Sequence, residues 1–282
     1  MCSSDLNLEN IWVANGSNEI LQSIFLAFGS RRALGFTPSY SMHPLIAKVA
    51  SVDWIDGKRR EDFSLDLEKA LTQISESKPA LTFVTTPNNP TGTSVSISDI
   101  EKLAAKCKSI NGLLIIDEAY AEFSSQPSAI TLIDKYPNLL VSRTMSKAFA
   151  FAGARVGYLA ANKQVIDALQ LVRLPYHLSA LTQAAAEVAL EFKEELLSEV
   201  RKLAHDRDRM IEDLRLLGLK VIPSDANFLL FTGFKMPSND LWQRLLAEGV
   251  LIRDVELPGY LRVTIGNGAE NQAFLTALKG AL

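Results

Sequence analysis

A lysine, Lys147, lies among hydroxyls and small or aromatic residues in Ser142-Arg143-Thr144-Met145-Ser146-Lys147-Ala148-Phe149-Ala150-Phe151, and Arg155 follows it by eight positions. Desolvation in such surroundings lowers the pKa of an ammonium and frees the amine as a nucleophile toward an aldehyde. Thirty residues earlier, Asp117 closes the apolar run 113–116, which puts a carboxylate at the carboxyl end of a buried strand. An unpaired buried carboxylate is costly, so this position calls for a cation, a metal or a protonated ring nitrogen. A metal is the weaker choice, because no histidine or acid cluster stands close by in sequence. Thr86-Pro87-Asn88-Asn89-Pro90-Thr91-Gly92 also follows a strand, where open α/β sheets carry their ligand loops; taken alone it is a turn.

These groups need a scaffold, and the chain supplies a strand-then-helix rhythm. Apolar runs at 33–36, 81–85, 113–116 and 139–142 are bounded by turn residues, and a helical pattern covers 97–109. The alternation predicts an α/β unit with a mostly parallel sheet between helices. Beyond residue 170 the texture changes. Residues 178–217 read as one or two long helices, followed by short strands at 220–222, 227–231, 251–253 and 260–265 and helices at 239–248 and 270–282. This second pattern predicts a smaller α+β unit, with a boundary at residue 172 that divides the chain into 1–172 and 173–282.

The 282 residues are 48% hydrophobic and 22% charged, which is ordinary for a globular protein. The formal charge of −3 lacks the basic footprint of a nucleic-acid or anionic-membrane binder. Cys2 and Cys107 make no disulfide framework, and His43, His177 and His205 lack metal-ligand spacing. No metal is therefore expected. No long apolar run or export leader is visible, so the expectation is a cytoplasmic protein with small-molecule partners.

Asn89-Pro90-Thr91-Gly92, then Asp117-x-x-Tyr120, then Ser146-Lys147 and Arg155, in this order and about thirty residues apart, resembles the fold-type I pyridoxal-phosphate aminotransferases. No single motif is decisive; the ordered set is specific. Four further stretches narrow the resemblance to the histidinol-phosphate aminotransferases, across essentially the whole chain. They are Asn15-Gly16-Ser17-Asn18-Glu19, Pro38-Ser39-Tyr40-Ser41-Met42-His43-Pro44, Leu174-Pro175-Tyr176-His177-Leu178-Ser179 and Leu261-Arg262-Val263-Thr264-Ile265-Gly266.

The resemblance implies pyridoxal 5'-phosphate as cofactor. Lys147 would hold its aldehyde and later carry the proton, Asp117 would pair with the ring nitrogen, and Asn89 and Tyr120 would donate to the phenolate oxygen. Tyr40 would stack on the ring. The phosphate would be held by Arg155, by the hydroxyls of Thr144 and Ser146, and by amides at Gly16, Ser17 and Asn18; Asn18 could equally be a plain helix cap. Arg262 would grip the substrate's acidic group. Arg253 resembles a second substrate arginine, although Asp254 could simply neutralise it, and Asn227 is either near the substrate or a structural strand-edge amide. Tyr176 and His177 border the imidazole pocket or merely pack.

The implied reaction is amino transfer between L-histidinol phosphate and 2-oxoglutarate, with glutamate as the reverse donor, in L-histidine biosynthesis, by a homodimer. Alternatives are an aromatic amino-acid (phenylalanine) aminotransferase of the same fold, a more distant phosphothreonine-type decarboxylase, and an inactive cofactor-binding fragment or regulator. A regulator would need a nucleic-acid-binding domain, for which there is no spare length. A nicotinamide dehydrogenase would need Gly-x-Gly-x-x-Gly, which is missing. Family members carry a substantial N-terminal arm ahead of the Asn15–Glu19 stretch, so the large unit is expected to be incomplete at its N-terminus.

Overall fold

The apolar runs of the first half become strands of one sheet. In the computed structural model, which describes residues 6–282 and so leaves Cys2 outside, the order begins with β1 (Ile11–Ala14), α1 (Ser17–Phe28), β2 (Ala33–Thr37), α2 (Met42–Val49) and β3 (Trp54–Lys58). It continues with α3 (Leu67–Ser77), β4 (Leu81–Thr85), α4 (Ile97–Ser109), β5 (Leu113–Asp117), β6 (Leu139–Thr144) and β7 (Gly157–Ala161). Spatially the strands run β1-β7-β6-β5-β4-β2-β3. β3, β2, β4, β5 and β6 are mutually parallel, whereas β7 is antiparallel to both of its neighbours.

Both faces of this sheet are covered, as a parallel sheet requires. Along β5 the side chains alternate: Ile115 joins Ile20, Ile24 and Phe25 of α1 on one face, while Leu114 and Ile116 join Ile74 of α3 and Leu103 of α4 on the other. All are essentially excluded from solvent, each contributing about 1.5–3 kcal/mol through burial. Ser96 starts α4 by accepting from the Asp99 amide at 3.2 Å, an ordinary N-cap.

The second half begins with α5 (Lys163–Gln170), α6 (Ala180–Glu191) and α7 (Lys193–Leu216), so the expected helical stretch is broken at Phe192. Then follow β8 (Lys220–Val221), β9 (Phe228–Thr232), α8 (Ser238–Ala247), β10 (Arg253–Asp254), β11 (Leu261–Thr264) and α9 (Gly268–Ala281). The four strands form an antiparallel sheet ordered β10-β11-β9-β8. The two sheets share a core seam. Tyr120 and Phe149 from the first half meet Val200 of α7 and Phe228 of β9, and buried Arg207 of α7 donates to the carbonyls of Phe123 and Ala226, each at 3.3 Å.

Because β2, β4, β5 and β6 are parallel, their carboxyl ends lie along one edge. Thr37, Thr85, Asp117 and Thr144 end these strands, and the loops leaving them carry Tyr40, Asn89, Tyr120 and Lys147 toward a common place.

Candidate active site

That place is a cavity of about 320 Å³, lined by side chains from all four loops together with Ser17 and Asn18 of α1, Arg155, and Arg262 of β11. Lys147 opens into it, with Nζ 5.6 Å from the centroid of the Tyr120 ring. Among the described residues no carboxylate lies within 4.0 Å of that ammonium. Desolvation lowers its pKa from 10.5, and the charges of Arg262 and Arg155 push in the same direction. The lysine is thereby biased toward its neutral, nucleophilic form.

Asp117 is 2% exposed, and its Oδ2 lies 3.1 Å from Nε2 of His43, itself buried. Its Oδ1 is buried without a partner among the described residues. One carboxylate oxygen is therefore fixed by an imidazole, while the other faces the cavity side with an unmet demand for a donor. His43 was not singled out for this from the sequence. The signal available was spacing: Tyr40 and His43, three residues apart at the start of α2, share a side of the chain, and their rings meet edge to face at 5.4 Å.

Tyr40 donates its hydroxyl to Asn18 Oδ1 at 3.1 Å. Asn18 is not the helix cap. Gly16 is, at φ +83° and with no side-chain cap, so Asn18 stands inside the first turn with its amide oxygen turned to Tyr40. Burial raises the Tyr40 pKa and pushes that of Tyr120 up to about 12, so both phenols keep their protons as donors.

At the other end of the cavity, the N-terminus of α1 meets the Ser-Lys loop. Arg155 Nη1 donates to Ser146 Oγ at 3.3 Å, and Thr144 Oγ1 donates to the same oxygen at 2.9 Å. A Cβ on Gly16 would stand 2.3 Å from Arg155 Nη2, and one on Gly157 would stand 2.5 Å from the Ser17 amide nitrogen. Both glycines thus let the helix start close against the guanidinium. Free first-turn amides, the helix dipole, two hydroxyls and an arginine make an anion cradle.

Arg262 reaches in from the second sheet. Its Nη1 donates to Asn89 Oδ1, its Cζ sits 4.7 Å from the Phe228 ring centroid, and its Nε is buried without a partner among the described residues. With Asn89 Oδ1 taken, the Asn89 amide nitrogen remains to donate. Arg253 is the antiparallel register partner of Arg262 but lines a separate, larger groove of about 840 Å³, which Arg262 also borders. Asp254 does not neutralise it: Arg253 forms no ion pair with a described residue, and Asp254 Oδ1 accepts from the Glu256 amide at 2.9 Å. Asn227 does not line the cavity, and its backbone carbonyl accepts from the Ile265 amide at 2.9 Å. Tyr176 is 98% exposed and His177 Nε2 lies 3.0 Å from the Val13 carbonyl on β1, so neither borders the site.

Together, an aldehyde-reactive amine, an acceptor awaiting an N–H, two phenols, an amide donor and an anion cradle suit a phosphorylated aromatic cofactor with a basic ring nitrogen. Comparison with known proteins agrees. A match to the family "Aminotransferase class I and II" spans residues 3–278. The histidinol-phosphate aminotransferase of Mycolicibacterium smegmatis is 56% identical over 275 residues, covering 96% of this chain and 72% of that protein. The crystal structure of histidinol-phosphate aminotransferase from Clostridium acetobutylicum superposes with a TM-score of 0.89 at 27% identity, covering 96% of this chain and 83% of the other. That from Sinorhizobium meliloti, in complex with pyridoxal-5'-phosphate, gives 0.85 at 26% identity, covering 97% and 77%. The chain belongs to the class I and II aminotransferases, within their histidinol-phosphate aminotransferase group.

Proposed function

We propose that this chain is a pyridoxal-phosphate-dependent aminotransferase that moves an amino group between L-histidinol phosphate and 2-oxoglutarate in L-histidine biosynthesis. The observation that carries the reading is the pairing, in one cavity, of an uncompensated lysine with a buried carboxylate whose second oxygen has no partner. Pyridoxal phosphate, when bound, supplies an aldehyde for the substrate amine and an electron-withdrawing ring.

The remaining work belongs to the protein. Asp117, held by His43, would accept from the ring N–H and keep that nitrogen protonated. Asn89 and Tyr120 would donate to the phenolate oxygen, and Tyr40 would stack on the ring. Ser17 and Asn18, with Thr144, Ser146 and Arg155, would hold the phosphate, whereas the Gly16 amide already donates to the Ala14 carbonyl at 2.8 Å. Lys147 Nζ takes the proton from the donor's Cα and, in the return half-reaction, delivers one to the Cα formed from the keto acid. Arg262 orients the acidic group of each substrate, and Arg253 adds charge at the phosphate end.

Residues 1–172 form the cofactor-binding unit and 173–282 the smaller unit that brings Arg262. The chain works as a homodimer: the segment 171–192 and the edge strand β1 expose Leu171, Leu174, Leu181, Ile11 and Val13, an apolar surface suited to a second copy. No described helix is long and apolar enough to cross a membrane, and the free thiol of buried Cys107 suits the reducing cytoplasm. Single-turnover measurements with L-histidinol phosphate and with phenylalanine test the substrate; faster turnover of phenylalanine at equal concentration would replace this reading with that of an aromatic aminotransferase.

A further inference from the structure

Arg59 is 8% exposed, yet no described carboxylate lies within 4.0 Å of it. Burial lowers its pKa to about 10. A buried guanidinium without a counterion is an expensive feature, tolerated when its N–H groups are all used. Here three bonds go to backbone and one, from Nη1, to Thr93 Oγ1 at 3.5 Å. Nε donates to the Phe36 carbonyl at 3.2 Å, Nη2 to the Thr85 carbonyl at 3.3 Å, and Nη1 to the Phe63 carbonyl at 3.2 Å.

Those acceptors are not arbitrary. Phe36 and Thr85 lie at the carboxyl ends of β2 and β4, just before the loops that carry Tyr40 and Asn89. The same loops are stitched together nearby, since Asn88 Nδ2 donates to the Pro38 carbonyl at 3.0 Å and Thr93 Oγ1 donates to the Phe63 carbonyl at 3.1 Å. Phe63 itself sits at φ +64°, a left-handed conformation disfavoured for a bulky side chain and found where the surroundings impose it. Its ring meets Tyr260 edge to face at 5.3 Å and 78°. Tyr260 stands two residues before Arg262, at the entry to β11.

We propose that Arg59 is a positioning residue, and Phe63 the side chain that docks it to the second sheet, in a latch that fixes Arg262 relative to the loops of Tyr40 and Asn89. The proposal rests on the reading of Arg262 as the substrate arginine. A forked cation helps only when its fork is already in place, so a slack β11 weakens substrate capture without touching the reacting groups. A second contact, from the Asp225 amide to the Gly92 carbonyl at 2.9 Å, keeps the sheets together when the ring contact is removed.

The test uses the full chain and two readouts: pyridoxal phosphate affinity of the apoprotein by titration, and KM and kcat for histidinol phosphate and for glutamate. Phe63→Ala is expected to raise both KM values about fivefold with pyridoxal phosphate affinity and kcat within twofold, and Phe63→Tyr, which keeps the ring edge, restores wild-type KM. Arg59→Lys keeps the charge but not the fork; it is expected to weaken pyridoxal phosphate affinity about tenfold, because the Tyr40 and Asn89 loops lose their shared clamp. Unchanged KM values in Phe63→Ala, or a KM rise that Phe63→Tyr fails to reverse, overturn the docking role. Wild-type cofactor affinity in Arg59→Lys overturns the clamp. If the wild-type protein does not transaminate histidinol phosphate, the functional reading fails, and the latch is judged on the cofactor titration of Arg59→Lys.

Discussion

Arg262→Lys separates a fork from a charge. In the protein the guanidinium lies over Phe228 at 4.7 Å, donates to Asn89 through Nη1, and is pulled below its usual pKa by burial, with Tyr120 opposing and Arg253 adding to the shift. Two losses follow from the substitution, and only one reaches catalysis. The flat cation over Phe228 contributes about 0.5–2 kcal/mol, but it does so with or without substrate, so its loss lowers stability and leaves kcat/KM alone. One of the two parallel bonds to the substrate's acid group is made only on binding, and a bond to a charged partner is worth about 1.5–3 kcal/mol. That converts to a fall in kcat/KM of roughly ten- to a hundredfold in each half-reaction. Because phosphate and carboxylate both offer paired oxygens, the histidinol phosphate and glutamate half-reactions should fall together, while Arg253→Ala, on the groove side of the register pair, should harm histidinol phosphate more. Stopped-flow measurement of each half-reaction decides it. Wild-type kcat/KM in Arg262→Lys, or a glutamate-only defect in Arg253→Ala, refutes this division of labour.

Asp117→Asn should still bind pyridoxal phosphate through the α1 cradle but slow Cα proton removal by at least about a hundredfold, because an amide cannot hold the ring nitrogen protonated; single-turnover rates check this. In the apoprotein, acylation of Lys147 should titrate with an apparent pKa below 10.5. Arg262→Ala should raise that value, since removing a nearby positive charge lets the ammonium keep its proton to higher pH. Gly16→Ala places a Cβ against Arg155 at φ +83°; it should weaken pyridoxal phosphate binding several-fold and lower Tm, at a conformational cost of about 1–2 kcal/mol, with titration and thermal melts as the measurements.

What was legible in the sequence follows the strength of the local signal. β4, β5, β6 and α4 are apolar runs or an amphipathic stretch between clear stop signals, and they stand within two residues of where the pattern put them. β3 escaped notice because an edge strand with Asp56, Gly57 and Lys58 buries little, and β1 because four alternating residues make a weak pattern. β7 is antiparallel, a property set by its pairing with β6 and β1, which no local run encodes. The site shows the same divide. Lys147, Asp117, Tyr120, Asn89 and Arg155 were readable as motifs and do share one cavity. His43 and Arg59 were not, because each acts through partners 74 and 26 residues away in the chain, and only the fold brings these together.

The chain as a whole carries −3, yet Lys147, Arg155 and Arg262 converge on a space of about 320 Å³ in which Asp117 is the one lining carboxylate among the described residues. Burial lowers the pKa of Lys147, and repulsion from Arg262 and Arg155 adds to that shift, whereas Arg262 is lowered by burial and by Arg253 outside the cavity. A fold tolerates such an arrangement where a bound ligand relieves it. On the proposed reading, a phosphate in the α1 cradle would answer Arg155, a ring N–H would answer the free oxygen of Asp117, and a substrate acid group would answer Arg262. The buried pair of His43 and Asp117, 3.1 Å apart, keeps this carboxylate in place among the positive groups, and on the proposed reading the histidine would act on the cofactor ring through Asp117.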